Sequence, residues 1–160
     1  METITGGSLI LQFIVIIVLT GINAFFSSAE MAIVSINRNK LKILVEEGNK
    51  KAIMLENLMK EPSKFLSTIQ VGITVINILS GASFADNLGK LFSSWMGNSE
   101  TARAIGTFLA LVLLTYISIV LGELYPKRIA MNLKDNLAVR AAPVIIFLGK
   151  IVSPFVWLLS

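Results

Sequence analysis

Three long apolar runs, each interrupted by a short polar island, organise this chain. The first extends from about Ser8 to Ile36 and is almost wholly apolar until Asn23, Ser27, Ser28 and Glu30 break it. The second, Lys64 to about Ala85, carries Thr68, Gln70, Thr74 and Asn77 within the stretch TIQVGITVIN. The third starts near Ala104 and runs through Leu121 into GELYPK, with Gly122, Glu123, Pro126 and Lys127. Runs of this length read as membrane spans, because about 20 apolar residues cross a hydrocarbon core about 30 Å thick. The first is longer than a crossing needs, reaching roughly 43 Å as a helix, so its last turns from about Ala32 project into the headgroup zone.

The segments between the runs change character. Residues 37–62 intersperse basic and acidic side chains with Leu41, Leu44, Val45 and then Ile53, Leu55, Leu58, Met59 at near-helical spacing. Gly48-Asn49 punctuates the middle. This predicts two short amphipathic helices on the membrane surface, with a hairpin capping the bundle as the alternative. Pro62 then opens the next helix. Gly72, Gly81, Ala82, Ser83 and Ala85 make the second span the one suited to tight packing against a neighbour. Residues 86–103 read as a short polar loop with Phe92 and Trp95 at the interface. Pro126 lacks an amide hydrogen, so the third helix is expected to kink or end near Glu123.

A fourth apolar block, Leu137 to Ser160, is broken by Pro143, Gly149, Lys150 and Pro154. With three spans and an outside N-terminus, every basic residue except Lys90 and Arg103 falls on the cytoplasmic side, the positive-inside pattern. A fourth crossing would drag Lys150 through the bilayer core. The block is therefore expected to form a broken or interfacial helix pair on the cytoplasmic side. The resulting fold class is an all-α integral membrane protein: three transmembrane helices (about 8–36, 64–85 and 104–126) with juxtamembrane segments 37–62 and 128–160.

Composition agrees. Hydrophobic residues make up 54% of the chain and the mean hydropathy is +0.77, above the apolar share of roughly 45–50% usual for soluble domains. Histidine and cysteine are absent, which removes zinc enzymes, Cys–His nucleophiles and disulfide scaffolds. The basic residues flank apolar helices with no base-stacking aromatics among them, which argues against nucleic acid. METITGGS has no basic residue ahead of the first run, so that run reads as a retained span rather than a signal peptide.

The islands carry the chemistry. A carboxylate within a membrane helix is costly and marks a path or a site unless it is paired. Counted in residues from the inner interface, the three islands lie within roughly 5–15 Å of it, so they are expected to face one cavity. Their donors are hydroxyl, amide and carboxylate oxygens, with backbone carbonyls freed by Pro126. Oxygen-only ligation suits Mg²⁺, Ca²⁺ or Na⁺. Each serine or threonine alone is more readily explained by bonding within or across helices than as a ligand. Glu30 and Glu123 instead require a cation, a proton or Lys127. A serine–lysine hydrolase built on Ser28 and Lys127 is disfavoured, because no oxyanion arrangement accompanies them. The chain does not read as an enzyme.

NAFFSSAEMAIVS, EPSKFLSTIQVGITVINILSG and LGELYPKRIA, in this order and separation, resemble the transmembrane domain of the CNNM/CorC family of magnesium transport proteins, including its hemolysin-like bacterial members. The resemblance covers almost the whole chain. It implies a multi-pass cell-membrane protein of bacterial type, forming a homodimer in the lipid bilayer, with an inward-facing acidic cavity that binds Mg²⁺ and with export coupled to Na⁺. By motif, the metal site would draw on Ser27 and Ser28, on Thr68, Gln70, Thr74 and Asn77, and on Gly122 and Glu123. Asn23, Glu30, Gly72, Pro126 and Lys127 would support the cavity. Many relatives read Gly-Asn where this chain has Gly72-Ile73, so Asn77 or Gln70 would substitute for that amide. The resemblance also implies a cytoplasmic CBS-pair module, absent from this chain. A membrane Mg²⁺ sensor or scaffold that transports nothing is the competing function.

Overall fold

A computed structural model describes residues 6–97 and 99–159. The described residues are helical, with short links and no strand. Helix α1 is Gly6–Ser35, α2 Arg38–Glu46, α3 Lys50–Leu58, α4 Pro62–Trp95 and α5 Glu100–Ile119. A π-helical turn, Val120–Leu124, joins α5 to α6, Tyr125–Leu159. Three helical stretches among these residues are long and apolar enough to cross a membrane: Ile10–Ser35, Pro62–Trp95 and Glu100–Pro154.

Local chemistry sets the boundaries. Asn37 caps α2 by accepting from the amides of Asn39 and Lys40, and Asn49 caps α3 by accepting from Lys51 and Ala52. Between them Gly48 takes φ +78°, the left-handed geometry that ends α2. Pro62 sits at the first position of α4, where its missing amide costs nothing. The Ser99 hydroxyl accepts from the Ala102 amide to start α5.

Two expectations need correction and one is sharpened. Residues 86–95 are not loop. They continue α4, because Gly89 and Gly106 let α4 and α5 touch closely: a Cβ on Gly106 would lie 2.8 Å from the Gly89 carbonyl oxygen. At Glu123 the expected disruption takes the form of a widened turn, not an end to the third span. The Tyr125 amide bonds to the Val120 carbonyl across a widened turn, so the ladder is rearranged just upstream of Pro126 and the helix goes on. Third, the backbone of the fourth apolar block stays helical past Pro143 and Pro154 as one helix, not a pair. It belongs to the same long apolar helical stretch, Glu100–Pro154, as the third run.

The core gathers Phe26, Ala29, Ala32 and Ile33 of α1, Phe65, Ile69 and Ile73 of α4, and Ala130, Ala138, Ala142 and Ile145 of α6. The buried alanines of α6 let neighbouring backbones approach. Leu41 of α2 and Ala52 and Leu55 of α3 join the same cluster, so these helices cap the bundle, while Ile43, Ile53 and Met54 remain exposed. The partners of α6 change along its length. Lys127 meets Glu30 and Asp135 meets Lys40, whereas Gly149 approaches Thr68 of α4. Asp135 accepts from both the Asn37 amide (3.2 Å) and Lys40 Nζ (3.0 Å), tying the start of α2 to α6.

Candidate cation site

Asn23, Ser27 and Glu30 recur at four- and three-residue intervals, which places them on one face of α1. That face meets the π-helical turn. Gly122 is the point of closest approach, since a Cβ there would lie 2.7 Å from Asn23 Nδ2. Asn23 is buried, and its amide nitrogen donates to Asn77 Oδ1 of α4 at 3.3 Å. Ser118 of α5 donates to the same oxygen at 3.0 Å. Three spans thus meet at one neutral, amide-rich tier.

Seven residues further along α1, roughly 10 Å at the helical rise, lies a charged tier. Lys127 Nζ is 3.0 Å from Glu30 Oε2 and 3.1 Å from Glu123 Oε1. Its bond to Glu123 is a hydrogen bond, whereas Glu30 Oε2 is held by charge without a well-aligned one. Two carboxylates share one ammonium, so the tier carries a net negative charge. The three side chains are 24–37% exposed, so the tier lies partly open rather than sealed.

Two oxygens along the α1 face have no partner. Asn23 Oδ1 and Ser27 Oγ are both buried and unbonded. Buried polar atoms in folded proteins are nearly always satisfied, and the exceptions mark a missing water, an ion or a function. Ser27 stands between the two tiers. Among the described residues no group of three or more Asp, Glu, His or Cys side chains comes together, so a cation here would be held by one or two carboxylates, neutral oxygens and water.

The α4 residues divide. Asn77 reaches the amide tier, and Gly72 faces the Phe26 ring, 3.5 Å from where a Cβ would stand. The remaining three lie apart from it. Thr68 bonds back to the Lys64 carbonyl and lies beside Gly149, roughly 13 Å along the helix from Asn77. Thr74 bonds back to the Gln70 carbonyl, and both residues are exposed. With Asn23 at Asn77 and Phe26 at Gly72, α1 and α4 run antiparallel, which brings Thr68 to about the depth of Glu30, but its hydroxyl is turned to its own helix and to Gly149 rather than to α1. Ser28 is partly buried next to Ser27, and Pro126 is buried beside the charged tier. Ser118 was not expected. Its sequence signal is its position four residues before Gly122, one turn up the same helix face.

Comparison with known proteins resolves the family. Residues 14–160 match the family described as CNNM, the cyclin M transmembrane N-terminal domain. The chain belongs to this family. It is 35% identical over 97% of its length to UPF0053 protein sll0260 of Synechocystis, of which it covers 36%. It is 31% identical to UPF0053 protein YhdT of Bacillus subtilis, over 93% of this chain and 33% of that one. The UPF0053 inner membrane protein YfjD of Escherichia coli is 30% identical over 87% of this chain and 30% of its own length. This CNNM domain spans about a third of the curated relatives it matches; these are bacterial, and the one from Escherichia coli is named an inner membrane protein.

Proposed function

We propose that this CNNM domain is the ion-carrying part of a Mg²⁺ transporter, and that the cation occupies the α1 face between the amide and charged tiers. The observation that carries the reading is the pair of unbonded buried oxygens, Asn23 Oδ1 and Ser27 Oγ, next to two carboxylates that share a single lysine. Every donor is oxygen, which favours a hard cation. One or two carboxylates with neutral oxygens and retained water suit Mg²⁺ better than the six to eight protein oxygens of a Ca²⁺ cage. Lys127 offsets one of the two carboxylate charges while no ion is bound. When a divalent ion enters, the ammonium swings out toward the aqueous edge, exposing two negative charges to match it. Glu123 sits on the π-helical turn, whose spare hydrogen-bonding geometry supplies backbone carbonyls and a place for the helix to flex.

Export from the cytoplasm with Na⁺ as the coupling ion, an outside N-terminus, a homodimer and a regulatory CBS pair in the longer protein complete the reading. The distribution of lysine and arginine supports the orientation, and the greater length of the relatives leaves room for further domains. The test is Mg²⁺ flux into liposomes containing the protein alone, read with an enclosed indicator. Transport driven by an opposing Na⁺ gradient and lost in Glu123→Gln is expected. Mg²⁺ binding by calorimetry with no flux under either gradient would make the protein a sensor instead, and absence of both would reject the site.

A further inference from the structure

Lys150 is a cation in an otherwise apolar stretch of α6, VIIFLGKIVSPF, and it has no ion-pair partner among the described residues. A charge placed in a membrane-facing apolar segment requires a counter-charge. Lys150 lines a cavity of about 330 Å³ between the end of α3, the first turns of α4 and the middle of α6. The walls include Leu58, Phe65, Ile145 and Ile146, and Lys64 lines the cavity as well. Gly149 keeps the cavity open, because its missing side chain leaves Thr68 across from bare backbone.

Charge balance points to an anion. Glu61 also lines the cavity but is 3.3 Å from Lys64, with both side chains more than 60% exposed. Exposed pairs of this kind hold weakly and exchange readily. Two lysines against one glutamate leave the rim positive, while the cavity between them is mostly hydrocarbon. An inorganic anion would satisfy the rim and leave the apolar walls unfilled. A molecule carrying an anionic phosphate and an acyl chain satisfies both. The position agrees, since α4 begins its apolar stretch at Phe65, where lipid headgroups give way to chains.

We propose that the cavity between α3, α4 and α6 is a binding site for an anionic phospholipid, its phosphate between Lys64 and Lys150 and an acyl chain against Phe65 and Ile145. The lipid would join the first turns of α4 to the distal part of α6, independently of the cation site. Native mass spectrometry of the full chain released from detergent, with phosphatidylglycerol, phosphatidylcholine or inorganic phosphate added, tests the assignment. Phosphatidylglycerol should be retained in preference to phosphatidylcholine, and Lys150→Gln should cut that preference about fivefold, the usual effect of one lysine beside anionic lipid. Lys150→Arg should restore it. Gly149→Leu should fill the cavity and reduce retention of both lipids, with helicity checked by circular dichroism. If that variant does not fold, the Lys150→Gln result alone decides. Equal retention of the two lipids, or a preference unchanged in Lys150→Gln, overturns the proposal. So does displacement of phosphatidylglycerol by an equal concentration of inorganic phosphate, which would make a free anion the ligand.

Discussion

The polar islands of α1 and α4 look alike as sequence, yet the fold treats them in opposite ways. On α4, Thr68 and Thr74 return their hydroxyls to carbonyls one turn back and ask nothing of neighbouring helices. On α1, Asn23 and Ser27 are buried with an oxygen each left unbonded, and Glu30 is held only by the lysine of another helix. Threonine within a helix commonly satisfies itself this way. Carboxamide and carboxylate groups facing inward lack that local option, and they are the ones drawn into contacts across the bundle. Polarity inside a span thus marks a site only where the side chain cannot be satisfied by its own backbone.

Four substitutions sharpen this contrast, read as unfolding free energies in detergent and as Mg²⁺ affinity by calorimetry. Lys127→Met should have the largest effect, because it leaves Glu30 and Glu123 facing each other. A loss of about 2–3 kcal/mol without Mg²⁺ is expected, below the figure for a fully buried pair because these groups are partly exposed. Added Mg²⁺ should recover much of it, and affinity should rise relative to the native chain because the competing ammonium is gone. A loss that Mg²⁺ does not recover would mean that Lys127 is purely structural. Gly122→Ala comes next, at about 1 kcal/mol, since its Cβ would displace the Asn23 amide nitrogen and break its hydrogen bond to Asn77. A neutral result would show that this contact is loose.

The smallest effects make the most direct comparison. Ser27→Ala should change stability by less than about 1 kcal/mol, because its hydroxyl has no partner to lose. It should still weaken Mg²⁺ binding by about tenfold, the lower end for groups that support a metal site. Thr74→Val, which removes only a bond to its own helix, should stay within about 0.5 kcal/mol and leave affinity unchanged. Equal effects of the two on affinity would remove the distinction between the islands.

Much of this was legible in the chain. The three spans, the two capped amphipathic helices and the Lys127 partnership are short-range consequences of hydropathy, of Asn37, Asn49 and Pro62, and of charges that cannot stand alone in lipid. The ends of α4 and α5 were not legible, because Gly89 and Gly106 become informative only when facing each other. Pro126 announced a disruption near Glu123, but not that a rearranged turn would let the helix continue.

By itself, then, the order of apolar and polar residues determined that the chain crosses a membrane three times and that Glu30 and Glu123 need a partner, because transfer of charge into hydrocarbon is costly in any arrangement. Only the tertiary structure decided which polar groups meet. The crossing of α1, α4 and the π-helical turn is set by side-chain volumes at Gly72, Phe26 and Gly122. That crossing brings Asn77 and Ser118 to Asn23 and leaves Thr68 and Thr74 to their own helix.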